Sequence, residues 1–148
     1  MNKFVQIGAG SSDLDKNYED GFANFIKKNN QDSEIYVVEA NSIHIEKLKK
    51  SWTPNKNVKI FNFAITPDNN RDKEMIFFYC EKDTPDFQIF SNSKKFVRKH
   101  FPDGKILQTI VNCKPLSIFL SENSLDEIEF LSLDIEGMDF DVLMNIDL

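Results

Sequence analysis

Short apolar runs, each ending in glycine or an acidic residue, recur along this chain with amphipathic stretches between them. KFVQI at 3–7 stops at Gly8, EIYVV at 34–38 stops at Glu39, and EFLSLDIEG at 129–137 carries Asp134 within it and stops at Gly137. A short run that is apolar throughout fits a strand buried on both faces, as in parallel sheets. Between the first two runs, Phe22, Phe25 and Ile26 recur at helical spacing and predict a helix over about 18–28. Lys27, Lys28 and Asn29 suit its C-terminal end. Asn41 or Ser42 can cap a second helix, with Ile45, Leu48 and Trp52 on one face and Pro54 ending it. Residues 57–65 predict a single third strand, MIFFYC an antiparallel strand, and 106–113 a further one. A helix is expected from Pro115, with Leu116, Phe119 and Leu120 inward. A strand over 129–135 and a last helix from about Met138, with Phe140, Leu143 and Ile146 at its spacing, complete the pattern. Strand, loop, helix, strand is the repeat of an α/β domain with an open, mostly parallel sheet and helices on both faces. Residues 82–105 hold DTPD, SNS, KKFVRKH and FPDG with no period. They read as an insertion with one short helix at 93–100. A length of 148 residues predicts one domain, 1–148.

Composition removes several classes. Lys and Arg number 18 against 24 Asp and Glu, a net charge of −6, so nothing draws the chain toward nucleic acid or an anionic membrane. No apolar run is long enough to span a bilayer. The N-terminus turns to Gly and polar residues by position 8, which leaves no room for a signal peptide. Cys80 and Cys113 are far apart, with no CxxC and no Cys/His cluster. Free thiols in a reducing cytoplasm are expected, with no metal and no disulfide.

Ligands of open α/β sheets bind beyond the carboxyl ends of the strands, so the residues that end the apolar runs carry the chemistry. Gly8-Ala9-Gly10 lets the backbone turn tightly and approach a ligand; an ordinary strand-to-helix turn is the other reading. A dinucleotide fingerprint would put a third glycine at position 13, where Asp13 stands. A nucleoside without a pyrophosphate does not need it. Glu39 can accept from both hydroxyls of a ribose, unless it is a solvated surface acid. Asp134 and Glu136, two apart, share a face in an extended chain. Together they can bind a cation, accept a proton or anchor an ammonium, or serve as an anionic pair at a helix N-terminus. His44 reads as a solvated helix histidine, with contact to a bound base as the other possibility. His100 reads as a surface residue or a general base. Lys94, Lys95, Arg98 and Lys99 form the one dense positive cluster, either a solvated helix face or a seat for an anionic sugar or nucleotide-sugar acceptor.

FVQIGAG, YVVEANSIHIEKLKKSW, NVKIFNFAIT and FLSLDIEGMDFDVL together resemble the FkbM family of methyltransferases. The resemblance spans nearly all of 3–146 and is most specific at Asp134-Ile135-Glu136-Gly137. It implies a Rossmann-like class I methyltransferase fold, S-adenosyl-L-methionine as cofactor, and O-methylation of a saccharide or natural-product hydroxyl. Carried over, Gly8, Ala9 and Gly10 would meet the methionine and ribose, and Glu39 with Ala40 the ribose hydroxyls. Phe63 and Ala64 would neighbour the adenine. Asp134 would sit by the methionine amine and the methyl group, and Glu136 near the substrate mouth. Asp134 and His100 are the candidate bases. Lys95 and Arg98, in what becomes an acceptor-side insertion, are candidate substrate contacts. Gln6, Gly10, Ala40, Ser132 and Asp139 depart from the family's usual Asp, Asn, Pro, Lys and Glu, which points to an altered substrate or reduced activity. The family continues with further strands that this chain does not reach. The 129–135 strand is therefore expected at a sheet edge, where a second copy could pair. Two other classes stay open: a different nucleotide-binding Rossmann enzyme, and a non-catalytic binding or assembly module.

Overall fold

A computed structural model of the chain describes residues 1–12, 20–29, 32–83 and 88–146. The first sheet contains β1 (Lys3–Ile7), β2 (Glu34–Val38), β3 (Val58–Phe61) and β7 (Phe130–Leu133) in the order β3-β2-β1-β7, all parallel. The second contains β4 (Ala64–Thr66), β5 (Glu74–Cys80) and β6 (Ile106–Pro115) in the order β4-β6-β5. Here β4 runs parallel to β6, and β5 pairs antiparallel to it, as the MIFFYC run predicts. The helices are α1 (Gly21–Asn29), α2 (Ile45–Trp52), α3 (Lys94–His100), α4 (Leu116–Glu122) and α5 (Asp139–Met144).

Side-chain alternation in the two central strands sorts the core into two layers. Phe4, Ile35 and Val37 cluster with Phe22, Ala23 and Ile26 of α1 and with Leu48 and Trp52 of α2. Val5, Ile7, Tyr36 and Val38 face the other way. They pack with β4, β5 and β6, with Leu116 and Phe119 of α4, and with Val142 of α5. Helices thus cover both faces, and the run EIYVV is buried on both sides, as a central parallel strand requires. On the α1 face the buried Gln6 donates Nε2 to Asp20, whose Oδ1 also accepts from Ala23 N–H at 3.1 Å at the start of α1. Gln6 therefore links β1 to the cap of α1. Asn41 caps a 3₁₀ turn, Ser42–His44, that leads into α2. The part of the first helix expected over residues 18 and 19, the loop residues from Asp13 onward, and three of the four DTPD residues lie outside the described residues.

The single strand expected at 57–65 is two strands in different sheets. Asn62 leaves the ladder, and its Nδ2 donates to the carbonyls of Glu39, at 2.9 Å, and Ala40, at 3.2 Å. Those bonds hold the chain at the carboxyl end of β2, and after Phe63 it re-enters as β4 beside β6. The strand expected at 129–135 ends at Leu133 and, among the described residues, forms the outer member of its sheet, paired with β1 alone. Around it Phe130 of β7 and Phe140, Leu143 and Met144 of α5 are exposed. Among the described residues no helix is long and apolar enough to cross a membrane.

Candidate functional site

β1 and β2 run in register, with Ile7 opposite Val38, so the residues that follow them are neighbours. Gly8 N–H donates to the Val38 carbonyl at 2.9 Å and turns the chain at φ +84. A Cβ there would overlap the carbonyl oxygen of Asp134, so the turn is restricted to glycine by conformation and by space. Asp134 N–H in turn donates to the Ile7 carbonyl at 2.9 Å, which brings the end of β7 against the glycine loop. Gly10, also left-handed at φ +57, has nothing within 4 Å of where a Cβ would stand.

Glu39 is buried beneath this loop. Its Oε2 accepts from Gly10 N–H and its Oε1 from Asn41 N–H, each at 2.7 Å. Burial pushes its carboxyl above the ordinary range; the backbone donors at Asn41, Gly10 and Ala40 oppose that, and the charge of Asp134 adds to it. The carboxylate thus ties the glycine loop to the turn after β2. His44 on the 3₁₀ turn lies in the same wall, buried, with Nδ1 2.7 Å from Ser11 Oγ. It is not the solvated histidine that its helical setting suggests, because the 3₁₀ turn rotates it inward.

The opposite bank is the turn between β7 and α5. Asp134 and Glu136 do not share the face of an extended strand. The chain leaves β7 at Leu133, and Glu136 takes a left-handed φ of +49. Its carbonyl accepts from Ser91 Oγ at 2.7 Å, and its Oε2 accepts from Phe90 N–H at 2.6 Å. Burial first, and then the charges of Asp134, Glu39 and Asp83, push its carboxyl up to about 7 despite the Phe90 bond. Asp134, the most open of the three acids, is raised by partial burial and by Asp139. Ile135 N–H is held by Asp139 Oδ1 at 2.9 Å, so the acid after Gly137 braces this turn.

Between the banks is a cleft of about 880 Å³, a volume that includes the open solvent at its mouth, and it gathers most of the residues singled out above. Gly8, Ala9, Gly10, Glu39, Ala40, Phe63, Ala64, Asp134 and Glu136 all line it. His100, Lys95 and Arg98 do not. His100 is exposed on α3, with Nδ1 3.0 Å from the Phe96 carbonyl and its ring against Phe96. Arg98 donates to the carbonyls of Pro102 and Gly104, which closes the turn after α3, and Lys95 is exposed. The basic cluster is thus a solvated helix face, and His100 is not placed to take a proton in the cleft. Among the described residues no group of acids, histidines and cysteines is arranged to hold a metal ion.

His44, for which the sequence offers contact with a bound base as the second reading, lines the cleft too, and sequence reasoning missed Ser11, Phe77, Gln88, Phe90 and Met138, which also line it. Ser11 follows the glycine loop and could have been found from its place. Gln88 and Phe90 arrive from the aperiodic 82–105 stretch, where no local pattern marks them.

The cleft has an acid at the head of β2, a glycine turn at the head of β1 and acids after the outer strand. It can hold a hydroxylated or cationic ligand between them. Neither the curated proteins nor the solved structures gave a match to the chain. The family model described as the methyltransferase FkbM domain matches residues 6–148, from within β1 through the end of the sequence. That match takes in both banks of the cleft, and the chain belongs to the FkbM methyltransferase family.

Proposed function

We propose that the cleft binds S-adenosyl-L-methionine and that the chain transfers its methyl group to a hydroxyl of a saccharide or natural product. The observation that carries this reading is the charge of the lining. Glu39, Asp134 and Glu136 face the cleft, and no lysine or arginine lines it among the described residues. A dinucleotide would bring a pyrophosphate to three acids with no cation to meet it. A nucleoside carrying a sulfonium and an ammonium is suited to the same field.

The residues fit such a ligand on two further counts. Gly10 and Asn41 N–H reach different oxygens of the Glu39 carboxylate and Ala40 N–H acts on it too, which still leaves acceptor capacity for a ribose hydroxyl. The space above Gly10 is open. Gly8 and Gly10 would lie along the ribose and methionine, Phe63 and Ala64 along the base, and Asp134 by the amine. When bound, the cofactor supplies an electrophilic methyl group. The chain's own part is alignment, which can be worth about 7–11 kcal/mol, with exclusion of water by Phe77 and Phe90. Asp134 and Glu136 are the carboxylates available to take the acceptor's proton. The acid lining disfavours an anionic acceptor and supports a neutral hydroxyl compound. The buried free thiols Cys80 and Cys113 fit a reducing compartment, and the cytoplasm is the proposed location.

Calorimetric titration with S-adenosylmethionine, S-adenosylhomocysteine and NAD tests the reading. Binding of the first two and not of NAD is expected. NAD binding alone would favour another Rossmann enzyme. Binding of none would favour an assembly module.

A further inference from the structure

Residues Gln88–Ser91 cross the cleft from one bank to the other. Ser91 roots the segment on β5: Phe78 N–H donates to its carbonyl at 2.7 Å, and its own N–H donates to the Phe78 carbonyl at 3.1 Å. Ser91 Oγ reaches the Glu136 carbonyl at 2.7 Å. Phe90 stacks on Phe77, with ring centroids 4.9 Å apart, and its N–H donates to Glu136 Oε2. Ile89 N–H is held by Asp83 Oδ2 at 2.6 Å. At the tip the fastening changes bank. Gln88 Oε1 accepts from Asn41 Nδ2 at 2.8 Å, and Asn41 is the residue whose backbone N–H is held by Glu39.

We propose that Gln88–Ser91 is the roof of the nucleoside site and that Gln88 is its clasp, a positioning residue that closes the roof onto the Glu39 bank and retards escape of the bound ligand. This rests on the cleft being the S-adenosylmethionine site. The asymmetry of the fastening supports it. Among the described residues the root and middle are held by several bonds and a stacked ring, whereas one bond between two side chains joins the tip to the far bank. Local opening follows the fewest and most exposed contacts, so the tip parts first. The segment belongs to the stretch that sequence reasoning assigns to the acceptor. Its bond to Asn41 instead puts its tip beside the residue expected to hold the ribose.

The experiment uses S-adenosylhomocysteine as probe and measures its association and dissociation rates on the immobilised chain, by surface plasmon resonance. Gln88→Ala removes the clasp from the roof. Asn41→Ser removes it from the bank, since serine keeps a capping oxygen and is too short to reach Gln88. One lost hydrogen bond predicts a dissociation rate roughly five- to tenfold faster in each variant. Because both break the same bond, the double variant is expected to be no faster than the faster single one. Unchanged dissociation rates overturn the proposal, as does a lower melting temperature of the free protein without a rate change, the mark of a purely structural contact. Rate increases that multiply in the double variant overturn it too. Failure of the unaltered chain to bind the probe is a separate result, and it overturns the cofactor reading on which the roof rests.

Discussion

Glu136→Gln is expected to stabilise the ligand-free protein above neutral pH and to leave it unchanged near pH 4.5. The carboxyl rises from its ordinary 4.5 to about 7 in the folded protein. Between those values the folded state holds a proton that the unfolded state has released, so stability falls as pH rises and levels off above the folded value. Each tenfold change in proton affinity is worth about 1.4 kcal/mol, which sets a ceiling of about 3.4 kcal/mol. Solvent reaches the cleft, so about 2 kcal/mol is the expected size. Glutamine keeps an oxygen for the Phe90 N–H. Thermal melts of both proteins at half-unit steps from pH 4.5 to 8.5 read the difference directly. It should be near zero at the acid end and open to about 4–8 °C above pH 7, for a chain of this length. Glu39 is also raised, so the variant keeps part of the pH dependence, and only the difference between the curves is diagnostic. Two curves that stay parallel over the whole range would refute burial as the source of the shift.

Four further outcomes are expected. Glu39→Ala raises the dissociation constant for S-adenosylhomocysteine at least tenfold by calorimetry, since Gly10 and Asn41 N–H lose their acceptor along with the ribose; an unchanged constant removes Glu39 from the site. Asp134→Asn leaves the melting temperature of the free protein unchanged or slightly higher, because a raised carboxyl is neutralised, while binding weakens; a large loss of stability with normal binding would make it a structural cap. Gly8→Ala costs about 3 kcal/mol or more by urea unfolding, from its left-handed backbone and the overlap with the Asp134 carbonyl; a loss under about 1 kcal/mol would mean that this turn is not strained. The chain self-associates through the β7 edge and the exposed Phe130, Phe140, Leu143 and Met144; light scattering that shows a monomer at every concentration rejects this.

What was legible in the sequence was whatever local periodicity or strand-end chemistry encodes. EIYVV announces a central strand, and Glu39 marks its carboxyl end, where the apolar run gives way to a carboxylate. The split at Asn62 was not legible. Phe61 and Phe63 continue the apolar pattern, and only the reach of the Asn62 amide to carbonyls more than twenty residues earlier shows that the chain changes sheets. His100 was misjudged because a histidine in a basic turn gives no sign of its distance from the cleft. Glu136 lines the cleft but not with the extended geometry expected of it, since a left-handed glutamate within an apparently extended run has no local signature.

The pairing of β1 with both β2 and β7 has a consequence for how the chain is made. β1, β2 and β3 are synthesised early and can pair as they emerge, but β1 waits for Phe130–Leu133 before its other edge is covered. Synthesis at about 5–20 residues per second makes that a wait of several seconds. During it, the edge of β1 is exposed and the wall formed by Gly8 and Asp134 does not exist. Sequence-distant parallel pairings close slowly in any case. A nascent chain therefore has α1 to α4, three of the four strands of the first sheet and all of the second before it has the outer wall of its cleft, and that wall is completed only when β7 docks on β1.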